Sequence, residues 1–244
     1  MNITTLTVTQ LLPAFVPVVL VVVIMWYWGQ GYGRALYAIC RMLLQLTLIG
    51  YFLVYIFESD SSLVVSGVLA VMVLAASYIA LNTVDLKKSF LLPASLLSVV
   101  IGGGLTLVLI TQGVLQLRPW YQASFVIPLA GMIFSASMTN ISLALERIWA
   151  ELDTGKTYEQ ARDIAFRAAM IPVINSFFAV GLISLPGMMT GQILSGVSPM
   201  VASRYQIVVM CMIFGAAGIS TAIFLTTIRH PLLLHRADIG VDSK

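Results

Sequence analysis

The sequence predicts an all-α, polytopic membrane protein with about seven transmembrane helices, its N-terminus outside and its C-terminus inside. Three observations carry that prediction. Of the 244 residues, 59% are hydrophobic and only 9% are charged, with a mean hydropathy of +0.98, whereas about a quarter of the residues of a soluble domain carry charge. Surface-to-volume scaling would leave much of that apolar surface facing water if the chain were soluble. The apolar residues come in runs near the length of about 20 that a helix needs to cross about 30 Å of hydrocarbon. The Lys and Arg residues, finally, are sorted into alternate connections. The whole chain, 1–244, reads as a single membrane domain.

The first run, near 11–29, follows no basic segment and precedes no small-residue cleavage site, so it reads as a retained span and not a cleavable signal. The second, near 42–57, is short and is introduced by Arg34 and Arg41. The third and fourth, near 62–82 and 91–112, flank the pair Lys87 and Lys88. The fifth, near 121–145, leads into ERIWAELDTGKTYEQARDIAFR (146–167), which is mixed in charge, rich in helix formers and free of proline. The connection it belongs to, 146–170, is the one sizeable segment outside the membrane. The sixth run, near 171–186, is short and ends in SLPGMMTGQILSGVSP (184–199); the seventh lies near 203–228. With the N-terminus outside, eleven of the 13 Lys and Arg fall inside, leaving Arg118 and Arg204 outside. That asymmetry fixes N-out, C-in and an odd number of spans. The 146–170 connection is therefore cytoplasmic, and reads as a docking element for a soluble partner.

Several kinds of chemistry are excluded. The GKT at 155–157 echoes a phosphate-binding loop, but that loop needs a glycine five residues before the GK pair and a strand leading in; position 150 is Ala150, and a membrane helix precedes it. ATP binding by this chain is rejected. His230 and His235 both lie in the C-terminal tail, so no histidine base or metal cluster sits in the membrane. Cys40 and Cys211 read as small apolar residues. No Asp or Glu falls near the centre of a span, which disfavours an ion-coupled relay. No catalytic residue is assigned, and nothing in the charge pattern calls for a nucleic-acid partner.

What polarity the spans do hold is Arg41, Gln45, Ser77, Ser135, Ser137, Asn140, Ser142, Asn175 and Gln192. Arg41 and Gln45 share one helix face; they and Asn175 read as helix–helix hydrogen-bonding groups. Most of the 12 methionines fill packing gaps. Met132, Met138, Met188 and Met189, however, cluster about the polar and glycine-containing segments, and thioether sulfur is a soft ligand. With Asn140 and Gln192 they are the expected lining of a translocation path, the identity of any metal ligand set being left open. The 184–199 stretch is neither a good helix nor a comfortable aqueous loop. Proline and glycine free backbone groups that lipid cannot satisfy, so such a break belongs where it is buried or lines a path. Gly131, Pro186, Gly187, Gly191 and Gly196 are the expected gate and hinge positions, with Pro186–Gly187 ending the sixth span.

The string VGLISLPGMMTGQILSGVSPMVASRYQIVVM (180–210) resembles the signature of the membrane subunits of an ABC-type family that includes bacterial iron-export permeases and plant aluminium-sensitivity permeases. RMLLQL (41–46) through Gly50 and Tyr51 resembles that family's second span, and IPLAGMI (127–133) its fifth; the likeness runs from about 34 to 228. The resemblance implies a multi-pass subunit of the inner (plasma) membrane that binds no cofactor itself. It would work as a homodimer with two copies of a separate cytoplasmic ATPase, which holds the ATP and Mg. It also implies that Asp153, Gly155, Thr157, Tyr158, Glu159, Gln160 and Ala161 form a coupling segment fitting a groove on the ATPase. The implied function is export of iron or another metal. An organic cargo such as a nucleotide sugar, and a regulatory subunit that transports nothing, remain the alternatives.

Overall fold

The structure, a computed structural model, describes residues 8–58, 61–84, 86 and 88–238. Lys87 and Lys244, counted above for orientation, lie outside the described residues, as do the side chains of His235 and Arg236. The elements in chain order are α1 (Val8–Leu11), α2 (Val16–Tyr27), α3 (Tyr32–Glu58), α4 (Ser62–Ala80), α5 (Lys88–Ser98), α6 (Gly104–Val108), α7 (Ala123–Asp153), α8 (Tyr158–Ala179), α9 (Gly187–Leu194), α10 (Pro199–Thr227) and α11 (Arg229–Asp238). A 3-10 turn, Leu12–Phe15, joins α1 to α2, and the π-helical turns Val99–Gly103 and Leu109–Val114 extend α5 and α6 into one rod.

Among the described residues, six stretches are long and apolar enough to cross a membrane: Thr9–Tyr27, Tyr32–Glu58, Ser62–Ala80, Lys88–Val114, Ala123–Asp153 and Pro199–Thr227. Each overlaps one of the seven runs read from the sequence. The second starts earlier than expected because Arg34 and Arg41 lie within the helix itself.

The run at 171–186 is the exception, and the bounds expected for it do not hold. It is not one helix: α8 ends at Ala179, Gly181 adopts φ +82°, and its N–H donates to the Ser184 carbonyl at 3.0 Å. Pro186 therefore opens α9 and does not close a span. The first half of α8 carries Glu159, Arg162, Asp163 and Arg167. Only 12 residues follow, Asn175 and Ser176 among them, or about 18 Å of helix, well short of a bilayer core. The 146–170 connection, rich in helix formers, is almost wholly helical, being the end of α7, a four-residue turn and the start of α8.

The chain divides into two compact units, 1–59 and 60–244. In the first, α2 packs on α3 and buries none of its own residues, an arrangement that lipid tolerates and water does not. The second is organised about α7, on which α4, α8 and α10 all pack. The buried stripe of α7 (Ile133, Ser137, Ile141, Leu145, Ile148, Leu152) repeats every three to four residues, as one helix face must. On α10, Ala216, Ala217 and Ser220 keep the buried face thin. A Cβ placed on Gly102 would lie 2.3 Å from Ser220 Oγ and 2.8 Å from its Cα, so α10 and the Val99–Gly103 turn touch backbone to backbone.

Hydroxyls pin these contacts, because small residues and polar groups hold helices together where lipid supplies no hydrophobic drive. Ser220 Oγ donates to Ser137 Oγ at 2.9 Å, Ser137 Oγ to the Ala216 carbonyl at 3.3 Å, and Ser142 Oγ to the Ala80 carbonyl at 2.9 Å. Ser95 Oγ donates to the Ser77 carbonyl, also at 2.9 Å. Asn175 on α8, expected to do the same work, is exposed, and within the first unit Arg41 and Gln45 on α3 are exposed as well. Apolar residues surround most of α3, so pattern alone could not say which side turns inward.

Candidate functional site

Residues 154–157 join α7 to α8 in a tight elbow. Gly155 at φ +81° supplies the left-handed conformation that ends α7, its N–H donating to the Leu152 carbonyl at 3.0 Å. Thr157 starts α8 with a capping box: its Oγ1 accepts from the Gln160 N–H at 3.4 Å, while Gln160 Oε1 accepts from the Thr157 N–H at 3.2 Å. Glu159 stands in the first turn, where the helix dipole favours an anion.

The elbow is anchored from within. Glu151, only 6% exposed, is held between the Arg147 guanidinium at 2.5 Å and the Lys156 ammonium. Tyr158, 5% exposed, donates its hydroxyl to the Leu225 carbonyl near the end of α10. Arg229, just beyond α10, lies 5.7 Å from the Tyr158 ring and pairs with Glu159 at 2.6 Å. Burial pushes the Tyr158 hydroxyl up to about 12, outweighing the opposing pull of Arg162 and Arg229, so it is a neutral donor at every physiological pH. The seven residues expected at this segment thus come together. Tyr158 and Ala161 face inward, and Asp153, Gly155, Thr157, Glu159 and Gln160 are exposed.

Where α7, α8, α9 and α10 meet, three cavities adjoin. One of about 620 Å³ is lined by Ser124, Met132, Met188, Gln192 and Tyr205 among others. A second, about 330 Å³, shares Met132 and Met188 and adds Ser176, Ser184, Gln206 and Met210. A third, about 420 Å³, shares Gln206 and Met210 and adds Met189, Ser203 and Cys211. Of the expected path residues, Met132, Met188, Met189 and Gln192 are brought together here. Asn140 is not: it is 2% exposed and donates Nδ2 to the Met170 sulfur at 3.4 Å, bridging α7 to α8. Met138 lies on none of these walls. Among the described residues no three His, Cys, Asp or Glu side chains gather as a metal-holding group.

Pro186 and Gly187 begin α9, Gly191 lies within it, and Gly196 at φ +94° ends it. Gly131 sits inside α7, where an added Cβ would meet only the Met72 methyl at 3.6 Å. The sequence reading missed Gln206. It is 6% exposed, and its Oε1, like that of Gln192, is buried without a hydrogen-bond partner. An amide inside the apolar run YQIVVM was the available signal.

These features define the class: an all-helical, multi-pass membrane protein with one helical elbow between α7 and α8 and a string of uncharged cavities at the α9 break. Comparison with known proteins gives the family. The chain belongs to the family described as "Uncharacterised protein family (UPF0014)", whose profile matches residues 8–232. It is 36% identical over 211 residues to "UPF0014 membrane protein slr1647" of Synechocystis, covering 80% of this chain and 82% of the relative. To "Probable iron export permease protein FetB" of Escherichia coli it is 36% identical over 205 residues, 77% of each chain. To "Protein ALUMINUM SENSITIVE 3" of Arabidopsis thaliana it is 34% identical over 204 residues, 78% of this chain and 73% of the relative. No solved structure matches the chain.

Proposed function

We propose that this chain is the transmembrane subunit of an ATP-driven transporter, moving iron or another metal ion out of the cell across the inner membrane. Two copies would pair with two copies of a cytoplasmic ATPase that supplies the ATP and Mg chemistry. The observation that carries the reading is the elbow: its exposed side offers a contact surface, and its buried Tyr158 is bonded to α10, the helix whose Gln206 and Met210 line two cavities. Closure of the ATPases on Asp153, Glu159 and Gln160 would thereby reach the cavities without leaving one continuous run of packed helices. The broken stretch α8–α9 and the helix turn at Gly131 are the parts with freedom to move. The iron-export name borne by the Escherichia coli relative supports a metal as cargo.

The test is co-purification with a lone cytoplasmic ABC-type ATPase, followed by its ATPase rate in reconstituted vesicles. Stimulation by a metal ion, lost in Glu159→Ala/Gln160→Ala together with ATPase binding, is the expected result. Stimulation by a nucleotide sugar and no metal would move the cargo to an organic solute. Metal movement persisting in a variant that no longer holds the ATPase would overturn the proposal.

A further inference from the structure

The two cavities that meet at Gln206 have an unusual set of donors. Their walls bring thioethers from three separate elements, Met132 of α7, Met188 of α9 and Met210 of α10, around an amide whose Oε1 is buried and unpartnered. Gln206 is 94% buried, and an interior amide oxygen left without a partner costs free energy unless something occupies the space beside it. Gln192, across Met132 and Met188 in the adjoining cavity, presents a second buried and unpartnered amide oxygen. Two orphan acceptors thus flank the same pair of sulfurs.

No carboxylate lines any of the three cavities. This selects the ligand's charge and softness together. The cost of taking an ion out of water rises with the square of its charge, so an uncharged wall disfavours a divalent ion much more than a monovalent one. Thioether sulfur prefers soft ions, copper(I) foremost, over the harder divalent ions that seek carboxylate and imidazole. We propose that Met132, Met188, Met210 and the Gln206 amide oxygen form a binding site for a soft monovalent cation of the copper(I)–silver(I) class. This deepens the transport reading above by naming the class of cargo its cavities accept, and rests on that reading only for the site's purpose.

The test uses the full-length chain in lipid nanodiscs, with silver(I) as probe, in the Cys40→Ser/Cys211→Ser background so that no thiol competes. Titration should show one silver(I) per chain. Met188→Leu and Gln206→Leu should each weaken binding at least tenfold, and excess iron(II) should not displace the silver. Gln206→Leu removes an orphan amide from the interior, so it should keep or raise the thermal unfolding midpoint while losing affinity. Weakened binding accompanied by a lowered midpoint, unchanged binding in both variants, no silver bound, or displacement by iron(II) would each overturn the site. Because no ATPase is present, the two readings fail separately. Silver binding by a chain that recruits no ATPase would sink transport alone, and recruitment without silver binding would sink the site alone.

Discussion

Tyr158 shows how one residue serves two elements. Its position in a polar connection marks it for the surface, yet its ring is buried and its hydroxyl is committed to the Leu225 carbonyl. Tyr158→Phe should lower stability by about 1–3 kcal/mol, the cost of stranding a buried carbonyl, as measured by thermal unfolding in detergent. The pKa sets the sign of any pH effect. A hydroxyl raised to about 12 contributes fully below the ordinary tyrosine value of about 10, and loses that contribution as pH climbs through 12. The gap between wild type and Tyr158→Phe should therefore be constant from about pH 6 to about pH 9, and a gap that varies there would contradict the neutral-donor role. Gly102 makes a second test. An alanine methyl would run into the Ser220 backbone, which cannot yield as a flexible side chain would. Gly102→Ala should cost about 3 kcal/mol, whereas Gly104→Ala, with nothing within 4 Å of the added atom, should cost little or nothing.

Among the elements, legibility followed the solvent. Helices that traverse lipid announce themselves, because about 20 consecutive residues must be apolar on every side; α4 and α10 could be drawn from hydropathy to within a few residues. Segments 158–179 and 187–194 could not. Arg162 and Arg167 dilute the hydropathy of α8, and the stop at Gly181 depends on a positive φ that composition only permits. The elbow was legible as a place and not as a geometry: TYEQ (157–160) holds the threonine and glutamine of a capping box, but nothing local says that Tyr158 turns inward toward a helix 67 positions away. Thr157→Ala should cost about 1 kcal/mol by removing the cap. Limited proteolysis from the elbow's side should then cut within 154–160 faster than in wild type, and equal rates would show that the cap does not hold the turn.

For the molecule as a whole, the sorting of basic residues makes the most exposed prediction. If the N-terminus is outside, a cysteine introduced at Thr154 in a background lacking Cys40 and Cys211 should react with a membrane-impermeant maleimide in inside-out vesicles and not in intact cells. Labelling of intact cells would reverse the topology and remove the cytosolic face on which the proposed ATPase contact depends. The cavities were the least legible feature. Met132, Met188 and Gln192 were visible as polarisable or polar residues near a break, but Gln206 sits three turns before the small-residue face of α10, and only the fold brings it against Met188. Asn140 failed for the converse reason, since a buried amide can as well bridge two helices as face a void.

The backbone contact between Gly102 and Ser220 has a mechanical corollary. If α10 moved as a straight rod clamped there, Ser220 would be its fulcrum, with Leu225 about 7.5 Å away on one arm and Gln206 about 21 Å away on the other, at about 1.5 Å of rise per residue. A nudge at the tyrosine end would emerge at the glutamine end roughly three times larger and in the opposite direction. A sub-ångström displacement at Leu225 would thus arrive at Gln206 nearly three times as large.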